Sequence, residues 1–269
     1  MRSSILAVIP FYFGNISFIV ANATLLARWK SSLLIVDNSK SIKGPELSNF
    51  HNITIYTPLK NIYLNGAYLF SFQQIQKSQH THLLLLDQDS LLSDNLLCSY
   101  HQSIDQYPSN FSFAAYDRYN KVRKDLSSNS HLFHSTLLDC KGSGFLIHRS
   151  FCLPNLIDSN LILDYLDWSL CWKLRKFPGF HIYQLTEPLQ SHTLGKSFFI
   201  SSLPSLSFRI SSLPRLINQF LSSIYLLFSP SYFFLLPLSR RLKFLLRLFY
   251  SPLLILFSLF ISILKLLRN

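Results

Sequence analysis

Three short apolar runs, each stopped by polar residues, constrain this chain more than any other feature. They are residues 5–10, residues 33–36 ahead of Asp37-Asn38-Ser39, and residues 82–86 ahead of Asp87-Gln88-Asp89-Ser90. Continuous apolar runs of this length are what strands buried on both faces look like. Between them, residues 16–30 and 66–77 carry apolar side chains at helical spacing, so the order is strand, helix, strand, helix, strand. That order predicts an α/β fold on an open, mostly parallel sheet flanked by helices. Sheets of this kind bind ligands outside the carboxyl ends of their strands. Asp37, Asp87 and Asp89 all fall on that edge. Further along, residues 145–148 read as a strand after a Gly142-Ser143-Gly144 turn, residues 161–176 as a helix stopped by Pro178-Gly179, and residues 181–184 as a short strand.

Charge divides the chain in two. Residues 1–195 hold 16 basic and 13 acidic side chains, whereas residues 196–269 hold nine basic ones and no acidic one. The net charge of +12 therefore belongs mostly to the tail. A nucleic-acid binder would carry its basic residues among exposed aromatics on the globular part, so that class is excluded. We read residues 1–198 as one α/β domain and residues 199–269 as a helical, cationic, membrane-associating tail. A spanning helix needs about 20 apolar residues in succession, and the apolar stretch 249–264 has 16, with Pro252 near its start. Upstream, Arg240, Arg241, Lys243 and Arg247 alternate with Leu and Phe, the mixture of a helix lying in an anionic membrane interface. Interfacial anchoring is therefore expected ahead of a span or a tail folded onto its own domain. The amino-terminal apolar run ends at Pro10 without a small-x-small cleavage site, and is read as the first strand rather than a secretory signal. Cys98, Cys140, Cys152 and Cys171 form no CxxC pair, which points to reduced, mostly buried thiols.

Two carboxylates at Asp87 and Asp89, two residues apart after a strand, can offer oxygens to Mg²⁺ or Mn²⁺, which usually share them with substrate phosphates. Asp164 and Asp167 would share a face if the helix already includes them. Asp164 reads as a helix-start acid facing the helix dipole, and Asp167 as a candidate general base. His192, after a short strand, could contact a metal or a phosphate oxygen.

The order of these motifs resembles the family-2 glycosyltransferases of GT-A type, especially rhamnosyltransferase-like and other polysaccharide-building members. The resemblance runs through Val8-Ile-Pro10-Phe-Tyr12, Asp37-Asn38-Ser39, the loop Asn61-Ile-Tyr-Leu-Asn65-Gly66-Ala67-Tyr68, then Asp87-Gln88-Asp89-Ser90, Gly142-Ser143-Gly144, Asp164-Tyr-Leu-Asp167 and His192-Thr-Leu-Gly195. It implies an inverting transfer of a sugar from a nucleotide-diphospho-sugar donor to a saccharide or lipid-linked saccharide, at the cytoplasmic face of a membrane and with a divalent metal. By the same resemblance Asp37 recognises the base, and Asp87 and Asp89 handle ribose, diphosphate and metal. Asp89 is then the better metal ligand, Asp167 the general base, and His192 the histidine near diphosphate and metal. Pro10, Tyr12, Asn38, Asn61, Asn65, Gly66, Gln88 and Gly144 complete the expected donor site.

Three positions depart from the pattern. Ser169 stands where a second acid is common, Cys171 where an Arg is common, and Tyr63 where Gly is common. They motivate an alternative, a catalytically silent membrane-associated adaptor on the same fold. Nucleotidyl transfer would call for a Gly-rich basic loop after the first strand, and Phe11-Tyr-Phe-Gly-Asn15 is not one. The polar stretch 117–130, with Arg118, Lys121, Arg123 and Lys124, is expected to be a solvated surface loop.

Overall fold

A computed structural model describes residues 4–42, 47–117, 121–122, 133–192, 197–199, 207–209 and 213–229, with positions 232, 241–242, 244–245 and 252. Most of the loop 117–130, and the basic and apolar positions Gly195, Arg240, Lys243, Arg247 and 253–264, lie outside the described residues. The chain divides into two units, Met1–Ser159 with Leu166–Thr193, and Asn160–Tyr165 with Leu194–Asn269.

In chain order the first unit contains β1 (Ile5–Phe11), α1 (Ile16–Arg28), β2 (Ser32–Asp37), β3 (Ile53–Tyr56), α2 (Tyr63–Lys77), β4 (His82–Leu85), β5 (Ser90–Leu91), α3 (Asp94–Gln106), β6 (Phe111–Tyr116), β7 (Lys121–Val122), β8 (Phe133–Asp139), β9 (Phe145–His148), α4 (Leu166–Leu174), β10 (His181–Pro188) and β11 (Ser191–His192). The main sheet has the order β3-β2-β1-β4-β9-β6-β10-β8-β7. The expected buried strands β1, β2 and β4 sit side by side in one half of it. Residues Ile5, Ala7, Ile9 and Phe11 face a core shared with Ile19, Ala23 and Leu26 of α1 and Leu96, Leu97 and Tyr100 of α3. Helix α2 packs on β1 and β4 through a separate buried set that includes Ala67, Tyr68, Phe72 and Ile75. Both faces of this half are covered, which is why its strands can be apolar throughout.

The sheet is mixed rather than mostly parallel. β1 pairs in parallel with β2 and β4, β2 with β3, and β6 with β10. The pairings β4–β9, β6–β9, β8–β10 and β7–β8 are antiparallel. β9, inserted between β4 and β6, runs against both, and this is what makes the sheet mixed.

The expected helix at 161–176 is also corrected: α4 begins only at Leu166, because Tyr165 holds a left-handed backbone, φ 66°. Asp164 and Asp167 therefore do not share a helical face. Asp164 belongs to the second unit, where its carboxylate accepts from Arg215 Nε and Nη2 (both 3.3 Å), Asn218 Nδ2 (3.1 Å) and Gln219 Nε2 (3.2 Å). The second unit also contains an antiparallel pair, β12 (Ser197–Phe199) with β13 (Ser207–Arg209), and helix α5 (Leu213–Phe228). Among the described residues no helix is long and apolar enough to cross a membrane.

Candidate active site

Parallel pairing brings the carboxyl ends of β1, β2 and β4 to one edge, with Phe11 level with Asp37 and Val8 level with both Leu34 and Leu85. β1 lies between its two neighbours at the point where the strand order reverses, so a crevice opens above it. Gln88 links the loop after β1 to the loop after β4: its Oε1 accepts the Tyr12 amide (2.7 Å), and its side chain lies against Gly14, where an added Cβ would be 3.0 Å from Gln88 Cδ. Tyr12 and Phe13 stay exposed beside it. A cavity of about 430 Å³ lies next to them, lined by Phe11, Phe13, Gly14, Asn15, Ile16, Ser41 and Ile42. Pro10 is half-buried in β1, level with Val36.

Asp37 is only 1% exposed. One oxygen accepts from the Ser39 amide (3.0 Å) and hydroxyl (2.7 Å), the other from the Ile42 amide (3.0 Å). The carboxylate thus holds the loop whose Ser41 and Ile42 wall the cavity. Asn38 reaches the other way: its Oδ1 accepts the Ile62 amide (3.0 Å) and its Nδ2 donates to the Tyr63 carbonyl (3.5 Å). Asn61 Oδ1 accepts the Tyr63 amide (2.8 Å). These bonds brace Tyr63 at φ 56°, the left-handed region that favours glycine. Asn65 donates to the Ser159 carbonyl (3.0 Å) and accepts from Gly66 in the first turn of α2.

The turn Gly142-Ser143-Gly144 joins the remaining acids. Ser143 Oγ accepts the Asp87 amide (3.1 Å) and shares a 2.5 Å hydrogen bond with Ser90 Oγ. The Gly142 amide donates to Asp167 Oδ2 (3.1 Å), and Trp168's own amide donates to Oδ1 (2.8 Å). An added Cβ on Gly142 would lie 2.5 Å from the Tyr68 hydroxyl and 3.5 Å from Asp167 Cβ, so the close approach admits only glycine. Gly144, at φ 77°, donates to the Leu85 carbonyl and accepts the Tyr100 hydroxyl (2.6 Å), stitching β4 to β9. From the opposite side, the fully buried Asn22 of α1 donates to the Ser90 carbonyl (2.8 Å) and accepts the Leu92 amide (3.0 Å). β11 pairs with β5, placing the His192 backbone level with Ser90, one residue after Asp89. The His192 side chain lies outside the described atoms.

Asp167 is the electrostatic centre of this cluster. Burial raises its pKa to about 7, offset by the Trp168 and Gly142 amides and reinforced by the charges of Asp87 and Asp139. Although its carboxyl group is sunk among protein atoms, the residue keeps partial access to solvent. Tyr68 faces the same acids, and burial, with the charges of Asp87 and Asp167, raises its hydroxyl far above the usual range, so it stays protonated. Asp87 and Asp89 are half-buried at the strand end. No group of three or more metal-ligating side chains is assembled among the described residues. Two hard carboxylate oxygens at a strand end nevertheless suit Mg²⁺ or Mn²⁺, ions that take most of their ligands from phosphate and water. The departures from the family pattern point inward: Ser169 is buried and donates to the Leu166 carbonyl, and the buried Cys171 Sγ lies 3.4 Å from that of Cys140.

No family description matches this chain, and no curated protein resembles it in sequence. Solved structures do resemble it in shape. TarS 1–349 of S. aureus in complex with UDP superposes with a TM-score of 0.50 at 12% identity, over 91% of this chain and 70% of its own. GalNAc-T7 with UDP, GalNAc and Mn²⁺ superposes with a TM-score of 0.54 at 13% identity, over 90% of this chain and 54% of its own. This is the GT-A glycosyltransferase fold.

Two contributors went unread in the sequence. Asn22 and Asp139 each act through contacts far along the chain. Only Asn22 carried a signal, an amide on the apolar face of an amphipathic helix.

Proposed function

We propose that the protein is an inverting, metal-dependent glycosyltransferase of family-2 type. It moves a sugar from a nucleotide-diphospho-sugar to a saccharide or lipid-linked saccharide in cell-surface polysaccharide assembly, held at the cytoplasmic face of the membrane by residues 199–269. The observation that carries this reading is the joining of Asp87 and Asp167 through one turn, 142–144, at the carboxyl edge of a GT-A sheet.

The nucleotide lies across the ends of β1 and β2. The cavity beside Phe13 is large enough for part of a ligand, and Asp37 acts through the loop it holds. Asp87 and Asp89 would hold a divalent ion together with the donor's phosphates, and His192 would contribute to the same diphosphate site. When bound, that ion supplies positive charge for the departing diphosphate. Asp167 takes the proton from an acceptor hydroxyl, whose oxygen forms a bond to the anomeric carbon opposite the phosphate. The bond from that carbon to the phosphate oxygen breaks, and the nucleoside diphosphate leaves with the electron pair. A base with a pKa near 7 is matched to this task at neutral pH. The protonated Tyr68 hydroxyl stays near Asp167 as a neutral dipole.

The test is donor hydrolysis by purified protein across a panel of UDP-, GDP- and dTDP-sugars, paired with calorimetric titration of the free nucleoside diphosphates with and without Mn²⁺. Turnover with one donor and Mn²⁺-dependent nucleotide binding are expected. Binding that ignores the metal, together with no turnover, would replace this reading by the silent adaptor.

A further inference from the structure

Helix α4 buries six of its nine residues. Of the three that remain, Lys173 reaches the buried Asp158 at 3.6 Å, and the other two, Asp167 and Trp168, are neighbours in the first turn. Both are half-buried. The Trp168 amide donates to Asp167 Oδ1 (2.8 Å) and the Gly142 amide to Oδ2 (3.1 Å), so carboxylate and indole are held by one turn in a fixed register. The two tryptophans of this helix differ. Trp172 is 3% exposed and belongs to the core, whereas Trp168 keeps part of its surface in water, its ring 6.4 Å from that of Trp172. A large aromatic side chain gains most when fully covered. This one stays partly open one residue from the carboxylate assigned to the acceptor hydroxyl.

We infer that Trp168 is the platform that positions the acceptor, with the apolar face of a pyranose ring on its indole and one of the ring's hydroxyls directed at Asp167. A pyranose needs both partners. Its hydroxyls radiate around the ring, while its axial C–H groups form an apolar patch that an aromatic surface can cover. The substrate class selected is therefore a cyclic sugar with an unbroken C–H face, in preference to an acyclic polyol. The inference rests on the glycosyl-transfer reading and adds to it the group that decides whether a sugar hydroxyl or water reaches the base. Trp168 forms and breaks no bond; it acts by holding the attacking oxygen within reach of Asp167.

The test takes one donor turned over by the wild type and measures how its sugar divides between water and an acceptor. The acceptors are the methyl glycosides, in both anomers, of glucose, galactose, mannose, rhamnose and N-acetylglucosamine, with glycerol as the acyclic control. The wild type is expected to transfer to at least one pyranoside in preference to glycerol. W168L keeps apolar bulk but loses the ring, and should raise the acceptor KM and shift the division toward water, each by about tenfold. W168F should recover most of both losses. Tryptophan emission supplies a reading that does not need W168L to fold: the preferred glycoside should perturb the wild-type signal and leave that of W168F, carried by Trp29 and Trp172, unchanged. A folded W168L that divides the donor as the wild type does would overturn the inference, because Trp168 would then serve packing alone. An emission change that persists in W168F would overturn it as well, as would equal losses toward glycerol and pyranosides. Donor hydrolysis by the wild type without transfer to any glycoside removes this inference and leaves glycosyl transfer standing. A wild type that turns over no donor removes both.

Discussion

The end of β2 and the start of α4 each present a buried carboxylate to the same edge of the sheet, and each is treated differently. Asp37 is saturated by three donors from its own loop and faces no other acid among its hydrogen-bond partners. Asp167 receives two amides and faces Asp87 and Asp139. A carboxylate whose oxygens are filled by local amides builds a wall. One whose ionisation is opposed by burial and like charges can exchange a proton near neutral pH. The first acts through shape, the second through chemistry.

Replacing Asp167 should separate them most. Asp167→Asn is expected to lower kcat by about 10²–10⁴, with Mn²⁺-dependent nucleotide binding retained; a rate within tenfold of wild type would remove the base from α4. The wild-type rate should rise with pH and level off above about 7, since only the ionised form accepts a proton. Stability moves oppositely. A carboxyl whose folded pKa is raised stabilises fully below its unfolded value and loses that contribution as pH climbs to about 7. The melting temperature of Asp167→Asn relative to wild type should therefore improve between pH 4 and 7, and a flat difference would show that burial does not govern this group.

Gly144→Ala comes next, because it strikes the turn that unites the acids. Its φ of 77° disfavours a side chain, and the new Cβ would meet Ala115 Cβ at 2.7 Å. A loss of about 2–3 kcal/mol in denaturant unfolding is expected, together with lower kcat as Asp167 loses its register with Asp87. Unchanged unfolding would mean that β9 can shift away from β6 without cost.

How much of this was readable in advance follows from where the information sits. The strands β1, β2 and β4 are legible because burial on both faces requires uninterrupted apolar runs. Asp37, Asp87 and Asp89 are legible because parallel strands present their following residues to one edge. In the mixed half the strands at 145–148 and 181–184 are legible but their pairing is not: β8 reads FHSTLLD, with no period that fixes its partners, and at the far end of the parallel half β3 has only four residues. The break before α4 depends on the left-handed Tyr165, which composition does not announce. Likewise, Ser143 and Tyr68 gain their roles from contacts that only the folded chain brings together.

Asp37→Asn sharpens the comparison from the structural side. One amide nitrogen would replace an oxygen among N–H donors, costing about 1–3 kcal/mol. Because the loop carrying Ser41 and Ile42 walls the cavity, the donor KM should rise while kcat changes less than twofold to threefold. A kcat loss as large as that of Asp167→Asn would erase the distinction between wall and base.

The smallest effect at neutral pH lies at the opposite edge of the sheet, where β4 begins. His82 is 6% exposed and level with His148 across the β4–β9 pair, their rings 4.9 Å apart. Burial, followed by the charges of His148 and His101, lowers its pKa to about 3. The folded state thus holds His82 neutral while the unfolded chain binds a proton below about 6.5. Its contribution to stability is complete above that value and is lost as pH falls toward 3. Unfolding should become easier by about 1–2 kcal/mol on going from pH 7 to pH 5. His82→Gln should flatten that slope without altering the pH dependence of the rate, which belongs to Asp167. If the rate profile moved with His82→Gln, the two edges of the sheet would be coupled, and the acid limb of activity could no longer be assigned to the carboxylate alone.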